Sequence, residues 1–468
     1  MFDRDEILEL GKPYTFDVSV RDVNKLFAGK LTLSPSKCIL RVMGERRPSP
    51  DFSLSEKIEC SSFNMSFLLY DLTIYYQSSQ CLRAAIDDDV GFFEYEFEVG
   101  YVVCAEGHFH SLDRIISLSI DSGMTKKWVG YTNLQQELVE KFHTHTLNPA
   151  GIDTVEFSQN LDDYGQLLLC YNFEAHSDVY AFTSGMKYSP VLNINFKSPI
   201  SIDDSYCEYQ KLYDLMTLLI GSDFNVNSIK LVEDRGTLSS KVSLYFPTTN
   251  RTYEKDYPVF PLSRNLKRHD LPIPEFPLCS FERYYLLPED ERITFTRYLR
   301  YRRMKSDEER FLGYFRLLES LTYKSKSYVD KDALDVLLND SESYIIKKLK
   351  GKGSDKDIQK LIARIGKLNQ SKYNTSKCLI DFYATLPSVL KKAIDFNNQG
   401  IEKICQLRND ITHANPYSVD ESTLNRYISF INMLLYVALL EKVGIKPELS
   451  SMVVNRLDGF HHIQNHSF

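Results

Sequence analysis

Residues 92–103, FFEYEFEVGYVV, alternate apolar side chains with acidic ones. This period of two is that of a β-strand with one buried face, which is common in antiparallel sheets. The apolar side of the stretch carries Phe93, Tyr95, Phe97 and Val99. The polar side carries Glu94, Glu96 and Glu98. We therefore expect a half-buried antiparallel strand here, with its glutamates facing solvent.

The same strand pattern recurs up to about residue 250. The segment VLNINFK (191–197) alternates in the same way, and further strand candidates are separated by clusters of glycine, asparagine, aspartate and serine. A helical pattern over residues 206–220 interrupts the series. These observations predict a large β-rich domain with a helix packed on it, although the pattern does not determine which strands pair.

A proline-rich stretch follows the last strand candidate. Residues 257–279, YPVFPLSRNLKRHDLPIPEFPLC, contain five of the 17 prolines in the chain. Proline lacks the backbone N–H and fixes φ, so this stretch should be irregular. We place the domain boundary at its end, which assigns residues 1–285 to the β-rich domain and residues 286–468 to a second domain.

The second domain has a helical period. SDEERFLGYFRLLESL (306–321) begins with Ser306 and Glu309 at the spacing of a capping box, followed by one apolar stripe. Further segments of the same period lie at 354–368, 398–413 and 418–444. We expect Ser418 and Glu421 to form a second capping box at the start of the last helix. The fold class predicted from these patterns is α+β, with a helical bundle following the β-rich domain.

Composition limits the classes of function. The 43% hydrophobic and 25% charged fractions are those of a globular protein with enough apolar residues for full cores. The formal net charge of −7 lacks the overall basic footprint of a duplex-DNA binder, so any binding of nucleic acid must use a local basic surface.

The expected compartment is the cytoplasm. The nine cysteines are scattered and include no C-x-x-C pair, which argues against a disulfide framework and a structural zinc site. The N-terminal residues MFDRDEILELGKPY lack the apolar core of a signal peptide. The most apolar run, 430–440, is shorter than the roughly 20 residues that span a bilayer. We expect no membrane segment, no metal and no cofactor.

The stretch QLRNDITHANP (406–416) places Arg408 on an unexpected side of its helix. At about 100° per residue, Arg408 falls within the apolar stripe of that helix. The apolar members of the stripe are Ile401, Ile404, Cys405 and Ile411. An unpaired buried charge is very costly. Arg408 is therefore paired internally, or this face lines a cleft or a subunit interface.

The residue types in this stretch suit the cleavage of RNA. Arginine is always charged and binds two phosphate oxygens at once, and histidine titrates near neutral pH and transfers protons. An asparagine such as Asn409 positions either partner. RNA carries its own 2′-hydroxyl nucleophile, so this chemistry needs no metal. Alternatively, Arg408 and His413 only interact with the free carbonyl groups at the helix C-terminus.

Three segments resemble a known family. LRNDITHANP (407–416), on the penultimate long helix, resembles the R-x4–6-H motif of HEPN domains, and RFLGYFRLLESLTYKS (310–325) resembles the first helix of ApeA-like HEPN domains. The segment YCEYQKLYDLMTLLIGSDFNVNSIKL (206–231) is similar to part of the N-terminal domain of ApeA proteins. The resemblance implies a HEPN bundle after an ApeA-like sensor or regulatory domain. It also implies a metal-independent ribonuclease of bacterial defence against phage, which acts by abortive infection and forms homodimers with one composite active site.

The resemblance implies roles for individual residues. Arg408 would hold the scissile phosphate, His413 would transfer protons, and Asn409 would support one of them. The expected products are a 2′,3′-cyclic phosphate or 3′-phosphate and a 5′-hydroxyl. Glu319 either pairs with Arg408 or is a solvated helix glutamate, and the solvated state is favoured. Asp410 is expected to be an exposed acid.

Two points of function stay open in the sequence. The bundle could instead be a non-catalytic HEPN domain that binds RNA or a protein partner in a defence or toxin–antitoxin system, and the N-terminal domain could receive a phage-derived trigger. The basic run RYLRYRR (297–303) could contact RNA, with its tyrosines stacking on bases, or could be a solvated helix. The lysines of residues 347–360 have the same two interpretations.

Overall fold

The computed structural model divides into two compact units, Met1–Pro288 and Glu289–Phe468. The residues that the structure describes are 8–22, 25–46, 52, 55–81, 91–109, 112, 114–143, 154–178, 183–234, 239–248, 254–267, 272–371 and 373–465.

The described part of the first unit contains twelve strands, which form one antiparallel sheet. Their bounds are β1 Tyr14–Asp22, β2 Lys25–Leu33, β3 Cys38–Arg46, β4 Ile58–Ser61, β5 Met65–Cys81, β6 Gly91–Glu106, β7 Ile115–Asp121, β8 Val155–Asn160, β9 Gly165–Asp178, β10 Thr183–Ile200, β11 Ser228–Asp234 and β12 Ser239–Tyr245. The strand order is β3-β2-β1-β4-β5-β6-β12-β11-β7-β10-β9-β8, and an additional β3–β6 pairing closes the first six strands into a barrel.

The long strand β6 belongs to both parts of the sheet. Its first half pairs with β3, from Gly91 opposite Arg46 to Val99 opposite Cys38. Its second half pairs with β12, where Val102 lies opposite Tyr245. A single strand of 16 residues therefore joins the barrel to the rest of the sheet.

The strand predicted over residues 92–103 is confirmed as part of β6. Its four predicted apolar residues are all at most 4% exposed. On the other face, Glu94 and Glu96 both form ion pairs with Arg41 of β3. The alternation predicted for residues 191–197 is also confirmed, within β10.

Helices and irregular segments pack against this sheet. The helices of the first unit are α1 Gly123–Val129, α2 Asn133–His143, α3 Ser205–Ile220 and α4 Cys279–Leu286. Helix α3 confirms the predicted helix, and most of its side chains are buried. Trp128 lies wholly buried against Phe276 and Phe281, and its Nε1 donates to the carbonyl of Phe260 at 2.9 Å. The described residues from 257 to 278 form neither helix nor strand, as the prolines predict.

The regular secondary structure of the second unit is helical in the residues that the structure describes. Its helices are α5 Glu289–Arg302, α6 Asp307–Thr322, α7 Lys331–Leu349, α8 Asp355–Asn369, α9 Thr375–Thr385, α10 Ser388–Ala393, α11 Asn398–Thr412, α12 Glu421–Lys442 and α13 Pro447–Ser451. Short 3-10 turns follow at Val454–Arg456 and Phe460–His462. The predicted α+β organisation, with a β-rich region before a helical bundle, is confirmed.

One predicted helix cap is confirmed and another is wrong. Ser306 caps α6, because its hydroxyl accepts a hydrogen bond from the backbone N–H of Glu309 at 3.3 Å. At the start of α12 the cap is Asp420 instead of Ser418, and its carboxylate accepts from the N–H of Thr423 at 2.8 Å. Aspartate is also favoured at this position because its negative charge lies at the positive end of the helix dipole.

Helix α12 is the core of the bundle. Every residue from 428 to 440 is buried, and Asn432 within this run accepts a hydrogen bond from the buried hydroxyl of Tyr298 at 2.8 Å. By length and composition alone, this helix could cross a membrane. Most of it is buried inside the protein, as expected of a core helix, and its asparagine is satisfied by a protein partner.

Candidate active site

Helix α11 carries Arg408 and Asn409, and His413 is the residue that caps its C-terminal end. Its first turn is capped by Asn397, whose side chain accepts from the backbone N–H of Gly400 at 3.0 Å. The buried residues of the helix are Ile401, Ile404 and Leu407. Arg408 lies half-buried beside this face, and Asn409 and His413 are exposed. The helical-wheel prediction that the Arg408 side chain leaves the helix towards the protein interior is therefore confirmed in part.

The guanidinium of Arg408 has three partners. Its Nη2 lies 3.2 Å from Oε2 of Glu319 on α6, and its Nη1 lies 3.0 Å from Oδ1 of Asn409. The guanidinium carbon also sits 5.4 Å from the centre of the Phe315 ring, at the distance of a cation–π contact. The favoured prediction of a solvated Glu319 is wrong. Only 27% of the Arg408 side chain and 29% of the Glu319 side chain are exposed. The half-buried arginine of α11 therefore forms an ion pair with a half-buried glutamate of α6.

A third helix holds the carboxylate of Glu319. The hydroxyl of Thr375, the first residue of α9, donates to Oε1 of Glu319 at 2.5 Å, while Oε2 accepts from Arg408. The contacts Arg408–Glu319–Thr375 thus join α11, α6 and α9 at one point. Nothing in the sequence near Thr375 indicated this role, because a threonine beside an asparagine cap is ordinary at a helix start.

The neighbouring thiol is not a nucleophile. Cys405 lies one turn before Arg408 on α11 and is half-buried. Burial raises the pKa of its thiol to about 11, so the thiol is protonated at neutral pH. A catalytic cysteine needs a depressed pKa, so this thiol is not a candidate nucleophile.

The C-terminus of α11 ends in a Schellman motif. The N–H of Asn415 donates to the carbonyl of Asp410 at 2.9 Å, and the N–H of Ala414 donates to the carbonyl of Ile411 at 3.3 Å. The side chain of Asp410 accepts further bonds from Gln406 at 3.0 Å and from Asn415 at 3.3 Å. Asp410 is therefore half-buried and fixes the helix end, which corrects the prediction of an exposed acid.

Ala414 occupies a left-handed backbone conformation at this helix end, with φ of 53°. This conformation costs roughly 1–2 kcal/mol for a residue other than glycine, and part of that is offset because glycine has more freedom in the unfolded chain. Ala414→Gly should raise the free energy of unfolding of the helical unit by about 0.5–1 kcal/mol. The measurement is urea unfolding of the full chain followed by the helical circular-dichroism signal.

Ala363→Gly is the matched control for this substitution. Ala363 is exposed in the middle of α8, where the same change should lower the free energy of unfolding by about 1 kcal/mol. Effects of the same sign at the two alanines would contradict the assignment of strain to Ala414.

The basic run at residues 297–303 is part of α5 and the turn after it. Tyr298 is wholly buried, and its ring stacks on Tyr314 with centres 5.6 Å apart. Tyr301 packs so closely on Gly313 of α6 that a Cβ at this glycine would lie 2.5 Å from the tyrosine ring. These two tyrosines therefore pack the bundle, and Tyr298 is not available to stack on a base. The lysines of residues 347–360 lie in the turn and helix ends between α7 and α8, where all six are exposed.

Two family models match this chain. Residues 22–272, more than half of the sequence, match the model described as ApeA N-terminal domain 1, and residues 312–449 match the model described as Apea-like HEPN. The chain belongs to the ApeA-like HEPN family. The HEPN match of this ApeA-like protein contains all the residues of the cluster around Arg408. The two domains are those of a HEPN defence protein, and HEPN domains are generally nuclease-like and typically dimerise. No curated protein and no solved structure matches the sequence.

Proposed function

We propose that this ApeA-like HEPN protein is a metal-independent endoribonuclease that defends bacteria against phage by abortive infection. The environment of Arg408 gives the strongest support. Its guanidinium is fixed by a carboxylate, an amide and an aromatic ring, on a helix whose end presents His413 to solvent. The two hydrogen bonds use two of the five N–H donors of the guanidinium, which leaves donors for phosphate oxygens.

The proposed reaction is an attack by the RNA on its own backbone. Arg408 binds non-bridging oxygens of the scissile phosphate and stabilises the charge that develops there. His413 accepts the proton of the 2′-hydroxyl as its oxygen bonds to phosphorus, and a proton passes to the 5′-oxygen as the P–O5′ bond breaks. The products are a 2′,3′-cyclic phosphate, which water opens to a 3′-phosphate, and a 5′-hydroxyl. Asn409 holds the guanidinium in place.

The spacing of the two residues favours a site built from two copies of the chain. Five residues along an α-helix correspond to a rise of about 7.5 Å and a rotation of about 140°. Arg408 and His413 of one chain therefore leave the helix in different directions. A two-fold axis between copies would supply two arginines and two histidines, so that one histidine acts as base while the other acts as acid.

The direct test is incubation of the purified full chain with total RNA in the presence of EDTA. Cleavage that continues in EDTA and leaves 2′,3′-cyclic phosphate ends, identified by mass spectrometry, is the expected result. A protein that binds RNA and leaves it intact would instead favour the non-catalytic HEPN protein. Cleavage that EDTA abolishes would contradict the metal-independent mechanism.

Glu319 has a positioning role in this mechanism, because it orients Arg408. Glu319→Ala should slow cleavage about 10- to 100-fold, as a misplaced catalytic group costs rate steeply. Glu319→Gln keeps an oxygen that accepts from Arg408 and should retain more activity than the alanine variant. The measurement is the initial rate of cleavage of a labelled RNA.

Glu448→Ala is the matched control for Glu319. Glu448 is an exposed glutamate on α13, and its removal should leave the rate unchanged. Full activity in Glu319→Ala would show that Arg408 does not depend on this carboxylate.

A toxic nuclease requires restraint, and we propose that the β-rich domain provides it and responds to a phage-derived trigger. The support is the two-domain organisation, since the HEPN match accounts for the second unit alone. We expect the purified chain to cleave RNA faster when extract from infected cells is added than when extract from uninfected cells is added. Equal rates with the two extracts would contradict a trigger.

A further inference from the structure

A cleft of about 470 Å³ adjoins the cluster around Arg408. One wall is the end of α6, with Arg316, Glu319, Ser320 and Tyr323, and the other wall is the start of α9, with Tyr373 and Thr375. Thr375 donates a hydrogen bond to Glu319, and Glu319 in turn accepts one from Arg408. A ligand in the cleft would therefore touch the support of the proposed phosphate-binding arginine.

The cleft combines aromatic rings with positive charge. Tyr323 is 64% exposed. The ammonium group of Lys326 lies over the ring of Tyr373, 5.3 Å from the ring centre. Arg316 is exposed, and within the described part of the chain no carboxylate lies within ion-pair distance of it. Rings that present a face and cations that remain solvated are the two features with which proteins bind single-stranded nucleic acid.

The rims of the cleft are held together by the backbone. The segments that carry Tyr323 and Tyr373 run side by side, with a parallel bridge between Lys326 and Ser371. Below this bridge, the buried side chain of Asn369 bonds to both the N–H and the carbonyl of Val329 at 3.0 Å. These hydrogen bonds therefore hold together the two segments that carry the tyrosines, at the base of the α7–α8 hairpin. A preformed site loses less entropy when it orders a ligand.

We infer that this cleft binds an unpaired nucleotide of single-stranded RNA next to the scissile phosphate. The base lies against the rings of both Tyr323 and Tyr373, and Arg316 binds the adjoining phosphate. The volume is within the roughly 300–1,000 Å³ of small-ligand sites. A base within a duplex is stacked on its neighbours and paired, so the cleft selects loops and single strands. This inference rests on the proposed function, which it extends to the structural class of RNA that is cut.

The test measures binding separately from cleavage. The probe is a fluorescent single-stranded RNA with 2′-O-methyl groups, which lacks the attacking hydroxyl, and the readout is fluorescence anisotropy with the full chain. Tyr323→Ala and Tyr373→Ala should each weaken binding about 5- to 150-fold, the range measured for stacking on one base. Tyr323→Phe and Tyr373→Phe keep the ring face and should bind as the wild type does.

The controls separate stacking from general charge. Tyr344 on α7 is 63% exposed and lies outside the cleft, so Tyr344→Ala should not change binding. Arg316→Ala should reduce the slope of log affinity against log salt by about 0.7, the value for one lost contact to a single strand, whereas Arg316→Lys should preserve it. A duplex of the same sequence should bind more weakly than the single strand.

The outcomes distinguish this inference from the proposed function. Tyrosine-dependent binding without cleavage of natural RNA would support the cleft and contradict the ribonuclease. Cleavage of natural RNA with normal binding by both alanine variants would overturn the cleft and leave the ribonuclease in place. The absence of any binding to the probe would also overturn the cleft, and would favour a protein ligand for it.

Discussion

Arg408→Ala and His413→Ala are each expected to reduce RNA cleavage by about 10²–10³-fold or more. Loss of one group that stabilises the developing charge typically costs 10²–10³-fold, and loss of a general acid–base residue costs about 10²–10⁴-fold. Arg408→Lys keeps the charge and loses the planar, two-oxygen geometry, so an intermediate loss is expected. The measurement is the initial cleavage rate of a labelled RNA in EDTA.

Matched substitutions control for charge and for folding. Arg364 is exposed on α8 and His461 is exposed near the end of the described chain, so alanine at either position should leave the rate near that of the wild type. The helical circular-dichroism signal should be the same in all four variants. Unchanged cleavage in Arg408→Ala and His413→Ala would eliminate this assignment of the active site.

A mixture of the two inactive variants tests whether the site is shared between copies. In a mixed dimer of Arg408→Ala with His413→Ala, one intact arginine and one intact histidine remain at the shared site, so part of the activity should return. If each chain has its own complete site, no mixture regains activity. Sedimentation should show a dimer in the active preparation, and an active monomer would contradict the composite site.

Phe430→Ala is expected to lower the free energy of unfolding of the helical unit by about 3–5 kcal/mol. Phe430 is 1% exposed in α12, and its ring stacks on Phe396 with centres 3.9 Å apart and planes 6° apart. Tyr383 contacts the same ring edge-on and donates from its hydroxyl to the carbonyl of Phe396 at 2.8 Å. The substitution removes the centre of this aromatic cluster and leaves a cavity.

The cluster also connects the core to the proposed active site. Phe396 directly precedes Asn397, the cap of the helix that carries Arg408. Loss of Phe430 should therefore loosen the start of α11 and reduce cleavage at temperatures where the variant is still folded. Urea unfolding and cleavage rate, measured at the same temperature, test the two effects.

Phe63→Ala is the control for the same chemical change. Phe63 is fully exposed between β4 and β5 of the first unit, and its removal should change stability by less than about 0.5 kcal/mol. A loss at Phe430 that is no greater than the loss at Phe63 would show that the aromatic cluster does not support the bundle.

The features that the sequence predicted correctly are local ones. The alternation at residues 92–103 depends only on the pleat of a strand, and the cap by Ser306 depends on atoms within one turn of helix. The R-x4–6-H motif is also local, because it spans one helix and the residue that caps its end, and its catalytic role stays a prediction. At the start of α12 the predicted cap, Ser418, lies two residues before the observed cap, Asp420, because aspartate is as good a cap as serine.

The remaining features depend on segments that are distant along the chain. The barrel closes only when β3 and β6 pair. The ion pair between Arg408 and Glu319 joins residues that are 89 positions apart. Both features require that separate elements are already packed together. The sequence by itself determined the order of elements and limited Arg408 to an internal partner, a cleft or a subunit interface, because burying an unpaired charge is costly for any fold. Only the tertiary structure decided that Glu319 is that partner, because the side chains that meet at a packed surface are set by the arrangement of three helices and not by the spacing on one.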